Sequence, residues 1–281
     1  EVQYIRNITD VDDKIIARSE ELNISPSELT NDCINSMHDD FKALGMISPD
    51  AEPRATENID SIISLITKLI NKGHAYVSES DVYFSTESFE EYGKLSKRKL
   101  EDMLSGARID IDLDKKNPAD FVLWKKDTEG LKWDSPWGPG RPGWHIECSA
   151  MSMDALGETF DIHGGGSDLK FPHHENEIAQ SECVTGKEFA KVWMHTGSLR
   201  IDEQKMSKSL KNFITIKEAL NDSSSEVLRF FLISSHYRSP LNYSDEGLKE
   251  AKNSLDRLYN SLQDLSYCLL YTSPSPRDTN P

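Results

Sequence analysis

The chain has 281 residues, and 32 Lys+Arg against 48 Asp+Glu give it a formal net charge of −16. That length suits one large domain or two modest ones, with enough chain to bury a core. No apolar run approaches the roughly 18–20 residues of a helical membrane span, no secretory leader opens the chain, and the acidity argues against a nucleic-acid surface spread over the whole chain, while leaving room for a local basic strip.

Glu1–Arg6 reads as a strand running into Asn7-Ile-Thr-Asp10, and a chain that begins inside a strand without methionine reads as truncated. Ser25-Pro-Ser-Glu28 is a capping box with proline in the first turn, and Cys33, Ile34, Met37, Phe41 and Leu44 follow on one face. Ile59, Ile62, Ile63, Ile66, Leu69 and Ile70 predict a second helix that stops at Gly73. Ala75–Val77 and Asp81–Phe84 predict a hairpin. Charge without periodicity from Lys94 to Asp120 suggests a surface insertion, and Phe121–Trp124 returns to a buried strand.

Ser135-Pro-Trp-Gly-Pro-Gly-Arg-Pro-Gly143 excludes helix and predicts a stiff loop leading to a helix over 144–156. A strand at Thr159–Ile162 ends in His163-Gly-Gly-Gly-Ser-Asp168, and Pro172 opens another helix. Further strands are expected at 192–194 and 198–201, and Thr215-x-x-Glu218 is a second capping box. Leu248, Ala251, Leu255, Leu258, Leu262 and Leu265 form the stripe of a long closing helix. Strands alternating with helices imply an α/β fold with a parallel sheet, followed by a helical piece. Tyr267–Pro281 breaks every pattern and reads as a foreign, unstructured tail.

Cys33, Cys148, Cys183 and Cys268 have neither CxxC spacing nor the density of a disulfide scaffold, and read as reduced thiols. His173 and Glu177 stand four apart and share a face if helical, and Cys148 opens another helix 25 residues upstream. Thiolate, imidazole and carboxylate are all acceptable zinc ligands. The same spacing also describes a solvated helix face, His174 and Glu175 are alternative donors, and Cys148 alone also fits a small buried apolar residue. Three ligands leave a tetrahedral site one short, to be filled by water or by a residue elsewhere.

Lys205-Met-Ser-Lys-Ser209 sets two ammonium groups three residues apart between hydroxyls, which suits charge developing on a transferring phosphoryl group and also an ordinary basic loop. The glycines ending at Gly166 sit where open α/β sheets bind ligands, with Asp168 available to ribose hydroxyls; a plain tight turn is the competing account. No GxxxxGK[ST] motif is present.

Together these residues resemble one family, the cysteinyl-tRNA synthetases of class I. The resemblance runs from about Tyr4 to Leu265 and is carried by Asn7–Lys14, Glu52–Thr56, Gly140–Met151, Asp161–Leu169, Phe171–Gln180, Lys205–Ser209 and His236–Ser239. It implies a Rossmann-type catalytic core over 1–73 and 121–222, a connective insertion over 74–120, and the start of a helical domain over 223–266. It implies zinc held by two cysteines, a histidine and a glutamate, with Cys148, His173 and Glu177 on three of these positions. The fourth ligand and a His-Ile-Gly-His element that grips ATP fall in sequence absent here, so the chain alone is expected to be inactive. Trp144 and His163 fall beside the substrate cysteine, with a core tryptophan as the other account of Trp144. Gly166, Asp168, His195 and Lys208 fall on ATP, and Lys205 and Lys208 on the transition state. The implied activity is ATP- and Mg2+-dependent formation of cysteinyl-adenylate and transfer to tRNA(Cys), by a cytoplasmic monomer that needs no membrane. A mycothiol-pathway ligase that passes cysteine to an amino sugar, and a non-catalytic zinc module, are the rival readings.

Overall fold

The computed structural model describes residues 1–79, 81–98, 114–127, 130–201, 203–206, 210 and 212–270, with side chains as far as residue 263. Much of the expected insertion, the Lys208 half of the lysine loop and residues 271–281 of the expected tail lie outside them. Two compact units divide the chain, Glu1–His38 with Ile47–His195 and Asp39–Met46 with Thr196–Pro281.

In the first unit, α1 (Asp13–Leu22) and α2 (Pro26–Ala43) follow an extended N-terminal segment. That segment makes only isolated parallel bridges, Ile5 to Ala51 and Ile8 to Arg54, where the sequence predicts a strand. Helix α1 was not expected, because its apolar residues are few; Asp12 caps it by accepting from the Lys14 amide. Helix α2 starts at the predicted capping box, where the Glu28 carboxylate accepts from Ser25 N at 2.9 Å. Cys33, placed by periodicity on its buried face, is exposed.

Helix α3 (Ile59–Asn71) buries Ile59, Ile62, Ile66 and Leu69 of the predicted stripe, together with Leu65, which the stripe left out, while Ile63 and Ile70 are only half-buried. It packs against a four-stranded antiparallel sheet, β1 (Ala75–Val77), β2 (Asp81–Phe84), β3 (Phe121–Lys126) and β4 (Gly140–Pro142), in that order. The stiff loop thus contributes an edge strand, the place in a sheet that tolerates proline. The core joins the α3 stripe to Val82, Phe84, Leu123 and Trp124 of the sheet and to Ile146, Ala150 and Ala179 of two further helices, α4 (Trp144–Leu156) and α5 (Glu175–Thr185). Strands β5 (Phe160–Gly166) and β6 (Ala190–Thr196) pair beside Phe189.

In the second unit, β7 (Leu199–Ile201) pairs antiparallel with β8 (Gln204–Lys205) and parallel with β9 (Leu241–Tyr243). Helices α6 (Ile216–Asp222), α7 (Ser225–Ile233) and α8 (Asp245–Leu270) enclose Leu44, Ala219, Val227, Leu228, Phe231, Leu248 and Ala251. The predicted α8 stripe is covered only at its start: Leu258 and Leu262 are exposed. The second capping box forms as read, with Thr215 Oγ1 accepting from Glu218 N at 3.1 Å and the Glu218 carboxylate accepting from Thr215 N at 2.8 Å. Replacing Thr215 by alanine is expected to cost about 1 kcal/mol. Urea unfolding measures this, and an unchanged midpoint would assign the cap no weight.

Candidate metal and substrate site

Strand β4 hands the chain directly to α4. Gly143 N donates to Leu123 O at 2.9 Å, and a Cβ there would lie 2.2 Å from Val122 O, so only glycine allows this close exit from the sheet. Gln180 on α5 donates to His145 O (3.0 Å) and to Ser149 Oγ (2.8 Å), which ties the first turns of α4 to α5. His173 precedes α5 in a wider-wound π turn, Lys170–His174, in which Phe171 is extended. The helix predicted from Pro172 is therefore π-wound in its first turn and α-helical from Glu175, and His173 and Glu177 approach at 3.8 Å.

The result is a buried cluster. Single donor atoms of Cys148, His173 and Glu177 lie within 4.8 Å of one another, and so do those of His163, His174 and Glu177. Glu177 belongs to both sets. His163 Nε2 stands 3.1 and 3.0 Å from the two Glu177 oxygens. The rings of the adjacent histidines are held from behind: His145 Nδ1 lies 2.8 Å from His173 Nδ1, and His195 Nε2 lies 2.9 Å from His174 Nδ1. Asn7 Nδ2 donates to Cys148 Sγ at 3.4 Å. Outer hydrogen bonds of this kind fix tautomer and orientation in metal sites.

The electrostatics follow from burial and crowding. Burial pushes the Glu177 carboxyl up, but His163, His173 and His174 together outweigh it and hold the group below its usual range. Burial, reinforced by Glu177 and Glu147, pushes the Cys148 thiol well up. Burial drives His145 and His174 down to about 3, with neighbouring histidines adding to the shift, so both rings are neutral at pH 7. A buried thiol beside an ionised carboxylate and a neutral imidazole is a donor set suited to a divalent transition metal, whose charge would make the thiolate stable there.

Aromatic rings wall the cluster. Trp144, 45% exposed, lies over His173 with ring centroids 4.2 Å apart at 30°. Trp193 packs against His163 and His174 at 4.8 and 5.1 Å. At Gly165 a Cβ would lie 2.8 Å from His174 Cε1, so bare backbone forms that side.

The structure thus brings Cys148, His173 and Glu177 together, with Trp144 and His163 against them. Gly166 and Asp168 sit at the end of β5 in mutual contact, a Cβ on Gly166 falling 2.5 Å from Asp168 Oδ1, and His195 joins the group through His174. Lys205 is exposed on β8 in the second unit. Of the two alternative donors, His174 belongs to the second set, while Glu175 turns away.

The sequence reading missed Asn7, His145, Trp193 and Glu147. Asn7 and His145 act only through a partner distant in sequence. Glu147 is 1% exposed with both carboxylate oxygens unpaired among the described residues, and burial followed by Asp10 and Asp12 pushes its carboxyl well up.

Comparison with known proteins supplies the family. The cysteine–tRNA ligase of Hahella chejuensis is 59% identical over 267 residues, 94% of this chain and 57% of the relative. That of Marinobacter nauticus is 57% identical, over 94% of this chain and 58% of the relative. The chain therefore spans less than three fifths of the length of these relatives. Among solved structures, Mycobacterium tuberculosis methionyl-tRNA synthetase in complex with methionyl-adenylate is alike in fold, with a TM-score of 0.70 at 14% identity over 90% of this chain and 60% of that one. The α/β fold of a class I synthetase is thereby shown. The family described as tRNA synthetases class I (C), catalytic domain, matches residues 1–253, and the chain belongs to it.

Proposed function

We propose that the chain is the amino-acid-activating part of a cysteine–tRNA ligase acting in the cytoplasm as a monomer, joining L-cysteine to ATP and passing it to tRNA(Cys). The observation that carries this reading is the buried thiol–imidazole–carboxylate cluster of Cys148, His173 and Glu177, in a chain 59% identical to a cysteine–tRNA ligase. Those three residues would hold zinc. Bound there, the ion supplies a soft cation for a substrate thiolate, a distinction from serine that pocket shape alone would make by only about 1–3 kcal/mol.

The remaining roles belong to the chain's own groups. Trp144, half exposed over His173, closes the cluster against water, and His163, paired with Glu177, borders the substrate sulfur. Bare backbone around Gly166 admits the nucleotide closely, Asp168 accepts from its ribose, and His195 flanks its base. Lys205 and Lys208 provide positive charge for the α-phosphate as the substrate carboxylate attacks and pyrophosphate leaves, with Mg2+ neutralising the triphosphate.

A chimera tests the reading. Grafted in place of the aligned 267 residues of the Hahella relative, the chain is expected to catalyse cysteine-dependent ATP–pyrophosphate exchange, to reject serine, and to charge tRNA(Cys). Residues 1–281 alone are expected to show little exchange. A folded chimera that activates cysteine but forms no cysteinyl-tRNA would favour transfer to another acceptor.

A further inference from the structure

Glu175 stands between His173 and Glu177 but takes no part in either donor set. Its carboxylate, fully buried, instead accepts three backbone amides from a strap within the expected insertion: Gly93 N at 3.0 Å and Leu95 N at 3.2 Å on Oε1, and Ser96 N at 2.8 Å on Oε2. Next to it Tyr92 Oη donates to Asn176 Oδ1 at 2.5 Å, and Lys94 Nζ lies 2.5 Å from Glu182 on the same helix. The Arg98 guanidinium lies 4.9 Å from the Phe171 ring centroid, two residues before His173. Four separate contacts therefore grip the turn Phe171–Asn176 and the helix after it, on both sides of His173.

A buried carboxylate costs folding free energy unless its oxygens are satisfied, and an apolar side chain would have filled this space without that demand. The strap's path is equally specific: Gly93, buried, has φ +98, and Lys97 has φ +60. Such investment in a directional contact fixes an orientation.

We propose that the strap Tyr92–Arg98 is a positioning device for the metal-holding turn, anchored by Glu175, so that the strap's order and the cluster's metal affinity are coupled. The proposal rests on the metal reading of Cys148, His173 and Glu177. Coupling of this kind is reciprocal: whatever loosens the strap weakens the metal, and the metal steadies the strap.

The test uses the whole chain with zinc as the probe, its affinity read by competition with a chelating dye. Glu175→Ala is expected to weaken zinc about 10-fold or more, and Tyr92→Phe, which deletes one hydroxyl and folds regardless, about 3-fold. Thr86→Val removes a buried hydrogen bond to Asp120 elsewhere in the same unit and is expected to lower the melting temperature with zinc affinity unchanged. Loaded with Co2+, the Tyr92→Phe chain should show altered visible absorption and the Thr86→Val chain the wild-type spectrum. Zinc should also slow tryptic cleavage after Lys97 and Arg98 in the wild type but not in Glu175→Ala. Tight zinc binding that is unchanged in both strap variants overturns the strap and leaves the metal reading standing. Equal weakening by Thr86→Val reduces the effect to general destabilisation and also overturns it. A wild-type chain that binds no zinc overturns both.

Discussion

Replacing Cys148 by alanine is expected to abolish stoichiometric metal, from about one equivalent to less than about a tenth after dialysis, since removing a ligand costs more than the 10–100-fold typical of an outer partner. The sulfur is fully buried among carboxylates, so the thiolate is stable there only opposite a cation. Binding must then release the thiol proton, and affinity should rise with pH. His173→Ala should match Cys148→Ala, and Glu177→Ala should be at least as severe because both donor sets contain Glu177. The second set supplies the contrast. His174→Ala leaves Cys148, His173 and Glu177 intact, and more than half of the metal should remain. Elemental analysis of the purified variants decides it: metal lost from His174→Ala and His163→Ala but kept in Cys148→Ala would move the ion to the other set.

Acidification should destabilise the metal-free chain. His145 and His174 have folded pKa values of about 3 against an ordinary 6.5, and His173 is also lowered. Between those limits the unfolded chain binds the extra protons, so the contribution is fully present above pH 6.5 and is lost as pH falls toward 3. Glu147 works in the opposite sense. Its raised pKa means the folded state holds a proton the unfolded state gives up above 4.5, so its contribution fades as pH rises. Three depressed histidines outnumber one raised carboxyl and leave a net of at least one proton, or at least about 1.4 kcal/mol per pH unit. From pH 6.5 to 5 the loss is at least about 2 kcal/mol, a fall in melting temperature of about 5 °C or more. Thermal unfolding in a chelating buffer at the two pH values measures it. Glu147→Gln should steepen the acid loss and raise the melting temperature at pH 8, because a neutral amide then occupies a site that disfavours charge. A melting temperature equal at pH 5 and 6.5 would contradict the excess of depressed histidines.

Local periodicity was legible where one element meets one core. The α3 stripe, the β1–β2 hairpin and both capping boxes stand where apolar spacing and side-chain oxygens put them. Cys33 and Leu258 show the limit, because a stripe says which face is apolar and not whether anything covers it. The donor set Cys148, His173 and Glu177 was legible as residue types and the i, i+4 approach of His173 and Glu177 as spacing, while the π winding of the turn that carries His173 was not. Asn7 and His145 carried no signal of their own: each acts through a hydrogen bond to a residue far along the chain, at 3.4 and 2.8 Å. Glu175, an alternative metal donor on sequence alone, was set apart only in three dimensions, where its oxygens accept backbone amides.

Gly165 backs the His174 ring with bare main chain, and even a methyl group there would lie 2.8 Å from His174 Cε1. The Nδ1 of that ring is held by His195, whose Nε2 lies 2.9 Å away. Any side chain added at Gly165 therefore presses first on a member of the second donor set, so its penalty falls on the cluster before it falls on the strand.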